Sequence, residues 1–115
     1  MVTYIHHNVW NWGVKDTIVI ADGRALCELS IDNDDLGNAW LTDVIVWEPA
    51  RGNGLGRELL QLAERHAREM GAKAILLWAD VKGWPIDWYK RHGFVECNKI
   101  QDGLLVLKKD LAGCE

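Results

Sequence analysis

The sequence predicts an α/β (α+β) fold built on a single mixed, mostly antiparallel twisted sheet of six to seven strands with flanking helices. Three observations predict it. A glycine-rich turn joins an apolar strand to an amphipathic helix, short polar turns separate alternating segments on either side, and a second apolar run, 74–79, follows that helix. Strands joined by tight turns run antiparallel, whereas strands joined by a helical crossover run parallel. One parallel pair is therefore expected within an otherwise antiparallel sheet.

The strands are expected at residues 2–5, 16–21, 24–32, 39–47, 74–79, 94–100 and 104–109. The stretch Val44 to Trp47 is apolar and predicts a buried strand, and the continuously apolar run 74–79 is typical of a strand covered on both faces. From Leu55 to Met70 the apolar residues recur at steps of three and four, which predicts a helix with one buried face. A short second helix is expected between Pro85 and Gly93.

The N-terminal segment carries aromatic and histidine residues without a clear pattern. His6 and His7 could be metal ligands or a catalytic base, but adjacent histidines near a chain end are expected to be exposed and without a function. Trp10 and Trp12 are expected to pack on the body of the protein or on a partner. With Trp40 they are more aromatic surface than a small monomer easily buries, which predicts a homodimer.

Composition excludes several classes of protein. The chain has 115 residues, which suits one domain spanning 1–115, and a formal net charge of −4, which disfavours a nucleic-acid-binding protein. No apolar run approaches the length that spans a membrane, and the first residues do not resemble a signal peptide. Cys27, Cys97 and Cys114 are odd in number and widely spaced, which favours reduced thiols in a cytoplasmic protein over disulfides or a metal site.

The turn between the apolar strand and the first helix has the composition of an anion site. Glycines stand at the alternate positions 52, 54 and 56, between Arg51 and Arg57. The first turn of a helix has backbone N–H groups without internal partners and a partial positive charge, and glycines allow an anion to approach them closely. The segment therefore predicts a phosphate-binding loop.

Two motifs together resemble the GNAT superfamily of acetyl-CoA-dependent N-acetyltransferases. The first is Arg-x-x-Gly-x-Gly at residues 51–56, which is similar to the superfamily's pyrophosphate loop and has the expected strand before it and helix after it. The second is Trp88-Tyr89-Lys90-Arg91-His92-Gly93-Phe94, which resembles the superfamily's aromatic-Tyr pair followed by Gly-Phe. The resemblance covers roughly residues 16–110.

The resemblance implies where acetyl-CoA binds. The sheet is expected to split between its two parallel strands, with the pantetheine arm bonded to the backbone of Val44 and Val46, and with Tyr89 near the sulfur. The loop residues expected to hold the pyrophosphate are Arg51, Gly52, Asn53, Gly54, Leu55, Gly56 and Arg57. Lys82 stands where the superfamily often has an asparagine that contacts the cofactor, and a lysine at this position could still reach the cofactor. Pro85 stands where the superfamily often has an alanine. Members usually carry two helices between the first two strands, whereas this chain has room only for a turn.

The expected function is transfer of an acetyl group from acetyl-CoA to a primary amine of a small molecule or peptide, without a metal. Tyr89 is the candidate general acid. For the general base, Glu28 is favoured because it points away from the apolar face of its strand, while Asp43, Glu48, Asp80 and a water chain stay open. Cys97 as a covalent acyl carrier is a less favoured route. The alternative function is a non-catalytic acyl-CoA-binding or interaction module on the same fold, which the short N-terminus favours.

Overall fold

A computed structural model describes residues 3–35, 37–47, 52, 54–82 and 85–111, with the backbone alone for residues 98 and 99. Its elements are β1 (Tyr4–Trp10), β2 (Gly13–Ile20), β3 (Ala25–Asp32), β4 (Asn38–Val46), α1 (Leu55–Glu69), β5 (Ala74–Asp80), α2 (Pro85–Arg91), β6 (Val95–Gln101) and β7 (Leu104–Asp110). The seven strands form one sheet in the order β1-β2-β3-β4-β5-β7-β6. Only β4 and β5 pair in parallel, so the predicted fold class is confirmed.

The core lies on one face of the sheet, beneath both helices. Alternate strand residues point into it, as in β3, where Ala25, Cys27, Leu29 and Ile31 are buried and the residues between them are half-buried. Helix α1 contributes Leu55, Leu59, Leu60, Ala63 and Ala67 to the same core. Side chains of α2 pack at its border. The face of α1 that the period of its apolar residues predicts to be buried is thus the face that packs in the core.

In the described residues neither helix covers the opposite face, which we call the open face. On this face the exposed fraction of Trp78 is 37% and that of Ile45 is 53%. The prediction that residues 74–79 are covered on both faces is therefore wrong, and so is the prediction that Val44 to Trp47 is a buried strand, since Trp47 is 57% exposed. Trp78 instead stacks on Trp40 of the neighbouring strand, with ring centroids 6.1 Å apart. An apolar run without alternation reflects this lateral packing and not a second layer of helices.

Strand β1 is a longer edge strand than the predicted 2–5, and it joins β2 through a turn at Asn11 and Trp12. The expected absence of two helices between the first two strands is confirmed. All seven residues of β1 are exposed. Trp10 and Trp12, expected to pack on the body of the protein or on a partner, are 53% and 43% exposed and stack on each other. No helix in the described ranges is long and apolar enough to cross a membrane.

A buried carboxylate joins β1 and α1 to β2. Asp16 is fully buried and accepts hydrogen bonds from His7 Nδ1 at 2.6 Å and from His66 Nε2 at 2.7 Å. The interpretation of His7 as a residue without a role is therefore wrong, although more than half of its side chain is exposed. A buried carboxylate without partners is unfavourable, and the two imidazoles satisfy one oxygen each.

Candidate functional site

The sheet opens between β4 and β5. Their parallel pairing ends at Trp40 and Leu76, although β4 continues to Val46 and β5 to Asp80. Beyond this point β4 contains a bulge, because Asp43 and Val44 together face one residue of β3 where the register shifts. Asp43 has a φ of 50°, which is uncommon outside glycine but tolerated best by Asp and Asn. A bulge bends its strand, and here it accompanies the predicted split.

The glycine loop ends at the N-terminus of α1. Gly52 and Gly54 have φ values of 86° and 77°, and Gly54 is the N-cap residue of the helix. The first hydrogen bond of the helix is donated by the Glu58 N–H to the Gly54 carbonyl at 3.0 Å. The N–H groups before Glu58 in the first turn therefore have no partner within the helix. Both glycines are required by backbone conformation, which agrees with the predicted anion-binding loop.

Gly56 is required for a different reason. A Cβ atom at this position would lie 3.3 Å from Trp88 Cζ2 of α2. The glycine therefore lets the first turn of α1 pack closely against the aromatic ring of α2. The sequence pattern of three alternate glycines thus combines two conformational requirements with one packing requirement.

A cavity of about 570 Å³ lies beside the glycine loop, between α1 and α2. Its described lining is Val44, Val46, Gly52, Gly54, Leu55, Gly56, Arg57, Pro85, Trp88, Tyr89 and His92. This lining contains every described residue of the predicted cofactor site except Lys82, and Arg57 brings a positive charge to it. Trp88 and His92 were not predicted to line it. Their i, i+4 spacing on α2, which places both on one helix face, is the signal that could have found them.

A second cavity of about 330 Å³ occupies the split itself. It is lined by Leu41, Thr42, Asp43, Val44, Leu77, Trp78, Ala79, Asp80, Pro85 and Tyr89. The two cavities share Val44, Pro85 and Tyr89, so they meet beside the tyrosine. One cavity lies by the glycine loop and the other reaches residues of the open face, such as Thr42 and Trp78. Two molecules, one bound in each cavity, would therefore both approach the side chain of Tyr89.

Tyr89 is held at this junction by aromatic packing. Its ring makes edge contacts with Trp88 and Phe94, with centroids 5.1 and 5.5 Å away. Burial, with a smaller contribution from the Cys27 thiol, raises the pKa of Tyr89 to about 12. The hydroxyl is therefore neutral at physiological pH and can donate a hydrogen bond.

Glu28 lies on the open face of β3 and is not part of either described cavity lining. Its carboxylate accepts a hydrogen bond from Thr42 Oγ1 at 3.3 Å and pairs with Lys15 at 3.3 Å. Thr42 lines the smaller cavity, so Glu28 is connected to that cavity through the side chain of Thr42. The preference for Glu28 over other bases stays a prediction.

The remaining predicted residues are not among the described linings of the two cavities. Arg51, Asn53 and Glu48 lie outside the described residues. Lys82 is exposed and lines neither cavity; its backbone N–H donates to Asp80 Oδ1 at 2.9 Å. In the described part of the chain, no cluster of three or more histidine, cysteine or acidic residues could hold a metal ion.

The sheet with its central split and the glycine loop at a helix start are the features that the resemblance to the acetyl-CoA-dependent N-acetyltransferases predicts. A family model of the acetyltransferase (GNAT) family matches residues 17–94, more than half of the chain. This protein therefore belongs to the GNAT acetyltransferase family and is an acyltransferase. A comparison with curated protein sequences gives no match.

Solved structures with the same fold agree with this assignment. The ribosomal-protein-S18-alanine N-acetyltransferase of Escherichia coli matches with a TM-score of 0.69 and 18% identity, over 90% of this chain and 72% of that one. The PaiA N-acetyltransferase of Thermoplasma acidophilum, in complex with coenzyme A, has a TM-score of 0.70 and 18% identity, over 84% and 59% of the two chains. Nourseothricin acetyltransferase has a TM-score of 0.68 and 25% identity, over 88% and 66%. The Thermoplasma structure is a chain of this fold with coenzyme A bound.

Proposed function

We propose that this protein transfers the acetyl group of acetyl-CoA to a primary amine of a small molecule or peptide by direct attack. The observation that carries the proposal is the meeting of two cavities at Tyr89, in the split between β4 and β5. The cavity beside the glycine loop would hold acetyl-CoA, and the cavity in the split would admit the amine. Such an arrangement brings the two reactants together from opposite sides of the sheet, which favours reaction by proximity and orientation.

The cofactor would be held mostly by backbone groups. Gly52, Gly54 and the first turn of α1 offer N–H groups to the pyrophosphate, and Arg57 adds a charge. Val44 and Val46 lie along the cavity where the predicted pantetheine arm would run parallel to β4. Lys82 does not line this cavity, so it could contact only a part of the cofactor that extends beyond the described lining.

The chemical step needs one base and one acid. The neutral amine nitrogen attacks the thioester carbonyl carbon, the C–S bond breaks, and the products are an amide and the coenzyme A thiol. A backbone N–H near Val46 would polarise the carbonyl oxygen in this step. The amine proton passes to a base, and the departing thiolate gains a proton.

Tyr89 is the candidate donor to the thiolate. Its pKa of about 12 lies well above the roughly 8.5 of a thiol, so full proton transfer ahead of bond cleavage is unfavourable. Tyr89 would therefore donate a hydrogen bond as negative charge develops on sulfur, with the proton moving during C–S cleavage.

Glu28 is the candidate base, acting through Thr42 or a water molecule, because its carboxylate already reaches a residue of the acceptor cavity. Asp43 and Asp80 line that cavity directly and are the competing candidates. Single replacements of Glu28, Asp43 and Asp80 by the corresponding amides would identify the base. The variant that lacks the base should lose the most activity at neutral pH, and its remaining activity should be shifted to alkaline pH.

The function is tested by thiol release from acetyl-CoA in the presence of a panel of amines, together with calorimetric binding of coenzyme A. Gly54→Val should weaken coenzyme A binding, because it strains a φ of 77° at the start of α1 and adds bulk to the loop. Gly71→Val imposes similar strain at the other end of α1, where φ is 89°, and should leave coenzyme A affinity unchanged. Binding without turnover on any amine would instead favour the non-catalytic acyl-CoA-binding module.

Location and assembly are further parts of the proposal. The free thiols of Cys27 and Cys97 are consistent with a reducing compartment such as the cytoplasm. The exposed β1 strand with its two stacked tryptophans is a candidate surface for a homodimer.

A further inference from the structure

The cavity in the split is acidic and aromatic. Asp43 and Asp80 line it together with the indole of Trp78, and no lysine, arginine or histidine is among its described lining residues. Carboxylates and the face of a tryptophan ring both attract cations, and the attraction is strongest when a cation meets both. The lining therefore favours a positively charged ligand group.

Trp78 is held in a fixed orientation at the open face. Its ring stacks on Trp40 with an interplanar angle of 18°, and these two residues come from the two strands that border the split. Trp78 nevertheless exposes 37% of its surface and lines the cavity. A ring that is already ordered by stacking and that lines the cavity can contact a cation without a large loss of side-chain entropy.

The two carboxylates are also positioned by the backbone. Asp80 ends β5, and its Oδ1 accepts the Lys82 N–H at 2.9 Å, so the carboxylate is oriented. Asp43 is exposed at the bulge of β4. The two strands therefore place a negative charge on each side of the split.

A charged subsite cannot serve the reacting nitrogen alone. An amine attacks the thioester only in its neutral form, whereas two carboxylates and an indole favour the protonated form. The group that these residues would bind is thus a second cationic group on the same acceptor molecule.

On this basis, and resting on the function proposed above, we propose that the acceptor is a small alkyl amine that carries a second ammonium group, of the diamine or polyamine class. The reacting amine would lie beside Tyr89, and the second ammonium would lie on the face of Trp78 between Asp43 and Asp80.

The first test compares three acceptors of equal chain length by thiol release from acetyl-CoA: 1,4-diaminobutane, 1-aminobutane and 4-aminobutanoate. The wild-type kcat/KM, expressed per reacting nitrogen in its neutral form, should be at least about tenfold higher for the diamine than for the monoamine, and lowest for the acid. Equal values for the diamine and the monoamine, or a higher value for the acid, would overturn the proposed substrate class and leave the acetyltransferase function intact.

The second test uses a matched pair of variants. Trp78→Leu removes the aromatic face and should lower the ratio of diamine to monoamine kcat/KM by about three- to thirty-fold, the range of one cation–π contact. Trp78→Phe retains a ring and should keep most of the preference. Because the basicity of each amine is the same for every variant, a change in the ratio reports binding by the protein. Tyr4→Leu, an exposed aromatic on the edge strand β1, is the control and should leave the ratio unchanged. An unchanged ratio in Trp78→Leu would contradict the subsite.

Failure of the proposed function has a different signature. If no amine releases thiol, acetyl transfer to amines is wrong, and calorimetric binding of 1,4-diaminobutane to the coenzyme A-loaded protein decides the subsite independently. Binding that is lost in Trp78→Leu and kept in Trp78→Phe would support it, and no binding to the wild type would overturn it.

Discussion

At the scale of single residues, the site depends on side chains whose environment changes their chemistry. Tyr89 and Cys27 lie close enough that the thiol contributes to the raised pKa of the tyrosine, while burial is the larger cause for both groups. Sequence position alone marks Tyr89 as a candidate, but its neutral, weakly acidic hydroxyl follows from packing against Trp88 and Phe94.

Tyr89→Phe should lower kcat by roughly a hundred- to ten-thousand-fold with the affinity for acetyl-CoA nearly unchanged, because the variant loses a hydrogen bond made chiefly in the transition state and keeps the ring. Steady-state kinetics with calorimetric binding checks this, where chemistry limits the rate. Tyr4→Phe, which changes the other tyrosine of the chain, is the control. More than about a third of wild-type turnover in Tyr89→Phe would remove the hydroxyl from the mechanism.

The stability of the protein should fall as the pH rises above 9, in part because of Cys27. Burial, and then the charge of Glu28, raises the pKa of this thiol from 9.0 to about 12. Its contribution to stability is therefore fully present below the unfolded pKa and is lost as the pH rises toward the folded pKa, because the unfolded thiol ionises first.

Between pH 9 and 10 this loss should amount to roughly 1 kcal/mol in the free energy of unfolding. Tyr89 adds a loss of the same sign only above about pH 10. Urea unfolding of the wild type and Cys27→Ala at both pH values measures the difference, since the cavity in the variant lowers stability equally at each pH. Parallel pH dependences for the two proteins would contradict the assignment.

At the scale of elements, one buried carboxylate connects three of them. Asp16 of β2 binds His7 of β1 and His66 of α1, which are 9 and 50 residues away in the chain. The alternation of β2 places Asp16 on the same buried face as Ile18 and Ile20, but it does not identify the two partners of the carboxylate. Its role appears only when β1 pairs with β2 and α1 packs on the face of the sheet where Asp16 lies.

Asp16→Ala should lower the free energy of unfolding by roughly 1–3 kcal/mol, because it leaves the mostly buried His66 without its acceptor. His7→Ala should cost less, since His7 is largely exposed. Glu69→Ala, at an exposed position of α1, should stay within about 0.5 kcal/mol of the wild type. Urea unfolding at neutral pH checks all three variants, and equal losses for Asp16→Ala and Glu69→Ala would show that the two hydrogen bonds contribute nothing.

At the scale of the whole molecule, the sheet has one covered face and one open face. The proposed acceptor side of the split lies on the open face, and the exposed edge strand β1 stands at one end of the sheet. Exposed aromatic residues are enriched in interfaces, and unpaired edge strands readily add a partner.

We therefore expect a homodimer at micromolar concentration, with a mass near twice the 13.0 kDa of the chain. Light scattering coupled to size exclusion measures it. Replacing both Trp10 and Trp12 by serine should shift the protein toward the monomer and leave its secondary structure unchanged by circular dichroism. A wild-type mass of about 13 kDa would show that this surface does not join two copies.

The sequence by itself determined the local architecture of this protein. Alternation and helical period located β2 to β7 and helix α1 to within a few residues but missed most of β1, and the glycine loop and the Trp88-Tyr89 segment indicated the family. These features are encoded by neighbours along the chain, since the conformational freedom of glycine and the burial period of a helix act over a few residues.

Only the tertiary structure decided which residues meet. The bulge at Asp43, the close contact of Gly56 with Trp88, and the open face that exposes Trp78 depend on register and packing between distant segments. The apolar run 74–79 could not reveal that one of its faces is uncovered, because a strand buried by lateral stacking and a strand buried by helices need the same apolar residues. The position of Tyr89 between two cavities follows from the divergence of β4 and β5, a property of the assembled sheet and not of either strand.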